Sequence, residues 1–362
     1  MSLLVAGFAA GFAAHSCVAA AIEPRLVACA ATAAAAGSPR RATVARAAAA
    51  GIVMLNRVLL EPSECSVEAD GQLVAQLAPS DPRAEHMRSH VKAEDGKLLR
   101  AGVLDAGATN SAKLKWVHEH DEVEVADTAT KKKAAAAAMR LELGAAVHML
   151  RPIGEDERPR LDLLLAMPRP AGFARLVPML SSLGIGKLWL TGAARVEKRY
   201  FSSHLLKEGN EALIREQLVA GLEQSGDTAV PRFEYVREVR HLLGGGRLDG
   251  GGESESGAAL PPLVKLACHP ERVEGPEAEA AALDPRLRVR RLGDIEVPPG
   301  ARLLLAIGPE RGWEEPDELE LLVSHGFQLV TLGPRTLRTD VACIGAIAVA
   351  HEILARADAA AS

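Results

Sequence analysis

Two glycine-bearing segments near the C-terminus carry residue types suited to holding a small ligand against backbone. The first is Ile307-Gly308-Pro309-Glu310-Arg311-Gly312-Trp313. The second is Leu332-Gly333-Pro334-Arg335-Thr336-Leu337-Arg338-Thr339-Asp340. Glycine lets peptide groups approach a ligand closely. Glu310, Arg338 and Asp340 add two proton acceptors and a fixed cation. Neither segment matches the common phosphate binders: no Gly-Lys-Ser/Thr follows the first, and Gly-x-x-x-Gly is not the dinucleotide fingerprint. Two peptide-lined loops suit a neutral or zwitterionic ligand with an adenine to hydrogen-bond.

Each segment follows an apolar run of strand length, Leu303 to Ile307 and Gln328 to Leu332. Loops at the carboxyl ends of neighbouring strands form the ligand crevice of an open α/β sheet. Acids at 314, 315, 317 and 318 with Pro316 mark a helix start, and Leu319, Leu322 and Val323 give it an apolar stripe ending at Gly326. The second loop runs into a small-residue helix from Asp340 to Leu354. Upstream, Leu161 to Ala166 reads as a buried strand, Phe173 to Leu183 as an amphipathic helix closed by Gly184, and Lys187 to Leu190 as a strand. Glu211 to Gln224 reads as a helix with Leu213, Leu218 and Leu222 inward. This alternation predicts a mostly parallel sheet covered on both faces. Gly244 to Gly252 and the acidic stretch after it read as a flexible insertion over about 244–285.

Residues 53–150 have a different texture. Arg57 to Leu60, Leu98 to Leu104 and Asp121 to Val125 read as short strands and Ala84 to Val91 as a helix, which suggests a small β-barrel. Lys131-Lys132-Lys133 and the alanines after it read as a surface insertion. Residues 1–52 are alanine-rich, with Arg25, Arg40, Arg41, Arg46 and one acid, Glu23. That composition is like an organelle targeting peptide, plastid ahead of mitochondrion, with a non-targeting tail and a cytoplasmic protein as the alternative.

The chain of 362 residues is 48% hydrophobic and 25% charged, which fits a soluble two-domain protein. No apolar run in its body is long enough to span a membrane. Aromatics make up 3%, too few for a base-stacking platform. Without residues 1–52 the formal charge falls from −5 to −8. Residues 244–285 hold eight acids and three bases, so local basic patches remain possible elsewhere. Cys65, Cys268 and Cys343 are far apart and lack metal-ligand spacing, so neither a disulfide framework nor a metal site is expected.

The pair Ile-Gly-Pro-Glu-x-Gly-Trp and Leu-Gly-Pro-Arg-x-Leu-Arg-Thr-Asp resembles the 16S ribosomal RNA uracil-N3 methyltransferase family of the SPOUT superfamily. The resemblance spans about Met54 to Leu354, including Arg169-Pro170, Leu183-Gly184, Glu223-Gln224-Ser225-Gly226 and His269-Pro270. It implies an α/β fold: a PUA-like RNA-binding β-barrel at 53–150, then a SPOUT trefoil-knot methyltransferase domain at 158–356. It also implies S-adenosyl-L-methionine as methyl donor, small-subunit ribosomal RNA as substrate, and a homodimer. By motif match, Gly308, Pro309, Glu310 and Gly312 form one wall of the cofactor site. Leu332, Gly333, Arg335, Leu337 and Arg338 form the other.

The proton on uracil N3 must leave, and the resulting anion needs positive charge nearby. Arg338 is the candidate for that charge, and Asp340 or Glu310 for the proton acceptor. Plain structural roles are open as well: Asp340 as a helix N-cap, Arg338 as its ion-pair partner. Arg57, Arg88 and Lys92 are candidates for RNA phosphate contacts, against a simple solvated surface. The chain departs from the family pattern at Arg311 (commonly glycine), Val341 (commonly threonine), Asp227 (commonly arginine) and Pro178-Met179 (commonly Gln-Lys). Two other functions fit the same fold: a SPOUT ribose 2′-O-methyltransferase on tRNA or rRNA, and a catalytically silent RNA-binding ribosome-assembly protein.

Overall fold

The computed structural model describes residues 56–118, 137–206, 211–248, 261–270 and 284–361. The targeting segment 1–52, the strand expected at 121–125 and the lysine–alanine insertion from 131 lie outside these residues, apart from the last alanines. Residues 53–362 form one compact unit, built on two sheets.

The first sheet contains β1 (Val58–Leu60), β2 (Cys65–Val67), β3 (Gln72–Leu77), β4 (Leu98–Val103), β5 (Ala108–Val117) and β6 (Ala138–Ala145), in the order β1-β4-β5-β6-β3-β2. β1 runs parallel to β4, and the other pairs are antiparallel. Alternation drives the burial: Ala112 and Leu114 point inward between Lys113 and Lys115, and Met139, Leu141 and Leu143 do the same on β6. Register shifts at Leu73/Val74 and Leu99/Ala101 bend the strands. The result is the barrel-like unit expected from the sequence, in the form of a curled half-barrel. Helix α1 (Pro82–Ser89) begins at Asp81, whose carboxylate accepts the Arg83 N–H, and buries Ala84 and Met87 in the sheet's core. A single turn, α2 (Ala146–Met149), follows β6.

The second sheet is parallel throughout: β7 (Leu161–Ala166), β8 (Lys187–Thr191), β9 (Arg232–Val236), β10 (Leu263–Cys268), β11 (Arg290–Arg291), β12 (Arg302–Ile307) and β13 (Phe327–Thr331). Its order is β11-β13-β10-β12-β7-β8-β9. The near-continuous apolar runs of β7 and β12 are buried on both faces, as a covered parallel sheet demands. Helices α3 (Pro170–Ser182), α4 (Glu211–Ser225), α5 (Val239–Gly244), α6 (Asp317–Ser324) and α7 (Thr339–Ala359) complete this half. Ile214 rather than Leu213 joins Leu218 and Leu222 on the buried face of α4, so the expected stripe is one residue out at its start.

One expectation is overturned here. The insertion read at about 244–285 contains β10, an interior strand paired with β12 on one side and β13 on the other. Its acidic parts at 249–260 and 271–283 lie outside the described residues. The two loop-bearing strands β12 and β13 are therefore not neighbours, because β10 separates them. The chain between β10 and β12 also passes around the far side of β13, where it forms β11.

A polar seam joins the two sheets. Asp105 donates its N–H to Thr228 O at 2.8 Å, and its carboxylate accepts from Val230 N at 3.1 Å and Arg158 Nη2 at 2.9 Å. Leu59, Leu104, Leu222 and Val230 form a small apolar cluster alongside.

Candidate active site

The carboxyl ends of β12, β10 and β13 open into one cavity of about 500 Å³, within the range of small-molecule sites. The first wall is the loop after β12. Its turn is closed by Gly312 N–H donating to Pro309 O at 2.9 Å. A Cβ on Gly308 would lie 3.1 Å from the Trp313 amide nitrogen and 3.3 Å from its Cδ1, so a larger residue here would crowd the loop as it folds back on itself. Trp313 is fully buried behind it.

Two carboxylates fix this wall to the rest of the sheet. Glu310 Oε1 accepts the Arg169 N–H at 2.8 Å, tying the loop to the start of α3. The buried Glu318 accepts from Ala194 N at 2.7 Å and from Glu314 N at 2.8 Å, tying α6 to the loop after β8. From that same loop, Arg195 Nη1 donates to Arg311 O at 3.1 Å.

The opposite wall is the loop after β13. Thr331 Oγ1 accepts the Gly333 N–H at 3.2 Å and donates to Gly333 O at 3.0 Å. Gly333 has φ +131°, a backbone region nearly closed to other residues. Pro334 to Arg338 are all exposed. Arg338 precedes α7 as its N-cap residue and has no capping side-chain bond. Its guanidinium pairs with Asp340 at 2.7 Å, while Asp340 Oδ1 accepts the Val341 N–H at 3.0 Å. The ion-pair reading of these two residues therefore holds, and the N-cap reading of Asp340 moves to Arg338.

Between them stands a third wall that the sequence reading missed, Cys268-His269-Pro270 at the end of β10. His269 N–H donates to Val330 O at 2.9 Å, extending the ladder, and its Nε2 lies 3.3 Å from Glu315 Oε1. Both side chains are buried. Burial pushes the Cys268 thiol up to about 12 and raises Cys343 as well, which removes a thiolate nucleophile from the cavity. An apolar run carrying β10's core, followed by His-Pro, was the available signal for this wall.

Gly308, Pro309, Glu310, Gly312, Leu332, Gly333, Arg335 and Leu337 all line the cavity. Arg338 and Asp340 stand beside it, outside its lining. Glycine-bearing walls with two acids, Glu310 and Glu315, glycine where a Cβ would crowd the loop, and this volume fit an adenosyl-bearing zwitterion of the expected size.

The three expected RNA contacts fare differently. Arg57 donates to Gly226 O, Ala101 O, Thr109 O and Asn110 Oδ1 at 2.8–3.0 Å, with its pKa lowered first by burial. It is a stitch in the seam between the sheets, and its donors are mostly consumed there. Arg88 donates to Ala137 O at 2.7 Å and lies 5.0 Å over the Trp116 ring, which again is internal work. Lys92 alone stands out in solvent.

Residues 155–351, more than half of the chain, match the model of the RNA methyltransferase domain family. Ribosomal RNA small subunit methyltransferase E of Treponema pallidum is 29% identical over 285 residues, covering 79% of this chain and 87% of the relative. The protein of the same name from Synechocystis sp. is 39% identical over 88 residues, 23% of this chain and 28% of the relative. Among solved structures, ribosomal RNA small subunit methyltransferase E from Neisseria gonorrhoeae, bound to S-adenosyl methionine, superposes with a TM-score of 0.52 at 20% identity, covering 82% and 97% of the two chains. At that identity the likeness speaks for the fold.

Proposed function

This chain belongs to the RNA methyltransferase domain family, and we propose that it methylates N3 of a uridine in small-subunit ribosomal RNA, using S-adenosyl-L-methionine. The observation that carries this reading is the cavity at the ends of β12, β10 and β13, lined by residues from all three strand ends. Bound there, the cofactor would supply an electrophilic methyl group on a sulfonium. The chain's own part is positioning, which is most of what such a displacement needs.

Arg338, exposed beside the cavity and paired with Asp340, supplies the positive charge for the deprotonated uracil in this reading. Glu310 is the better placed of the two proposed proton acceptors, since it lines the cavity while Asp340 holds Arg338. Gly308, Pro309, Gly312, Leu332, Gly333, Arg335 and Leu337 bound the cofactor's space.

The active unit is a homodimer in this reading. Val341 and Ile344 on α7, with Leu337 before it, are exposed apolar side chains in a row, and Met179 is exposed on the neighbouring α3. A second copy covering that face would bring its own α7 against this rim. No helix among the described residues is long and apolar enough to cross a membrane. The alanine-rich, arginine-bearing residues 1–52 support delivery to an organelle, plastid ahead of mitochondrion.

The deciding experiment is methyl transfer to small ribosomal subunits lacking the modification, followed by mass spectrometry of nucleosides. N3-methyluridine is the expected product. A ribose 2′-O-methyl product would move the chain to the other SPOUT activity. Calorimetry with S-adenosyl-L-methionine covers the remaining case: no binding would leave a silent RNA-binding protein.

A further inference from the structure

Arg195, Arg311 and Arg335 come from three different segments: the loop after β8, the loop after β12 and the loop after β13. All three line the same cavity. Among the described residues none of them makes an ion pair, whereas arginines elsewhere in this half, such as Arg160, Arg302 and Arg338, do. The carboxylates of this lining are engaged elsewhere, Glu310 by the Arg169 N–H and Glu315 by His269. Arg195 uses one donor to grip Arg311 O and keeps the others. A chain of formal charge −5 thus gathers three arginines against two carboxylates at one cavity, with none of the three paired to either acid. Arginines set as a fork of planar donors are the usual means of holding a phosphodiester.

We propose that Arg195 and Arg311, facing Arg335, form a clamp for an RNA phosphate at the mouth of the cavity. The proposal rests on the methyltransferase reading above and adds the substrate contact that reading lacks. The cofactor is a poorer occupant for these arginines, because its sulfonium and ammonium outweigh its single carboxylate. The RNA backbone carries only negative charge there. Arg195 couples the clamp to the cofactor wall through the Arg311 carbonyl, so RNA held by the guanidinium would bear directly on the loop that bounds the cofactor.

The test uses the full chain with Arg195→Ala, Arg311→Gly and the double variant. Binding to unmodified small subunits and to a short uridine-containing single-stranded RNA is measured across a salt series. Affinity for S-adenosyl-L-methionine is measured separately by calorimetry, and thermal melting checks the fold. Each single variant is expected to weaken RNA binding about tenfold and to reduce the salt slope by about one, with melting unchanged. Cofactor affinity stays unchanged in Arg311→Gly, while Arg195→Ala, which also loses the bond to Arg311 O, lowers it by less than it lowers RNA binding. Unchanged RNA affinity and slope in a folded double variant would overturn the clamp. Loss of cofactor affinity with RNA binding intact would also overturn it, by giving the anion site to the cofactor's carboxylate. If wild type binds RNA through these arginines yet transfers no methyl group, the methyltransferase reading fails and the clamp stands.

Discussion

The two outer walls of the cavity are made from similar sequence and held in opposite ways. The loop after β12 is backed by a fully buried tryptophan and pinned by Glu310 and Glu318 to segments more than a hundred residues away. In the loop after β13, the described anchoring is local: one threonine hydroxyl bonds two positions ahead, and Arg338 bonds Asp340. Long-range anchors make the first wall part of the fold's stability, so its geometry exists before any ligand arrives. The second wall is nearly free of such ties, and its residues are available for contacts with RNA, cofactor or another copy. A comparable split between a fixed and an adaptable side is expected wherever a site must both preorganise one ligand and admit a larger one.

Substitutions should separate the two walls by what they cost. Trp313→Ala, which empties a buried site, should lower the free energy of unfolding by about 3–5 kcal/mol and abolish cofactor binding, as read by urea titration and calorimetry. Glu318→Ala leaves two backbone N–H groups without their charged acceptor and should cost about 2–3 kcal/mol, with a matching fall in the urea midpoint. On the second wall, Gly333→Ala meets open space, so it should cost only the backbone strain, about 1–2 kcal/mol. A larger loss would mean that this loop is tied down more firmly than its hydrogen bonds indicate. Arg338→Ala should change stability by less than about 0.5 kcal/mol, because the pair is exposed, while methyl transfer falls by at least about a hundredfold. Wild-type turnover in that variant would remove Arg338 from the chemistry and leave it as a helix-start residue.

The sequence made β7, β8, β12 and β13 legible because their apolar runs are long and bounded by turn residues. It hid β10 for two physical reasons. The strand is flanked by glycine-rich and acidic stretches, and Lys265 interrupts its apolar run. In the folded chain that lysine reaches out to His325 O at 3.1 Å, with its ammonium 5.9 Å from the Phe327 ring, so a charged residue sits in an interior strand without being buried charge. Without β10, His269-Pro270 stands out in the sequence only as part of the family resemblance and not as a wall of the site, and the two loops look like neighbours. The RNA-contact candidates illustrate the opposite limit. A lone arginine such as Arg57 looks the same in sequence whether its guanidinium faces solvent or four oxygen atoms.

The position of β13 bears on when this site can exist. Among the described strands it leaves the ribosome last, yet it lies inside the sheet, between β11 and β10. Of the described strands before it, all but β11, whose one partner is β13, can pair early, and the place beside β10 must stay open, or reopen, until β13 and α7 arrive. Neither the second wall nor the completed cavity is available to a growing chain. Catalytic competence is thus acquired in one late event, and an intermediate lacking that event would present the unpaired edges of β10 and β11 to whatever else is in solution.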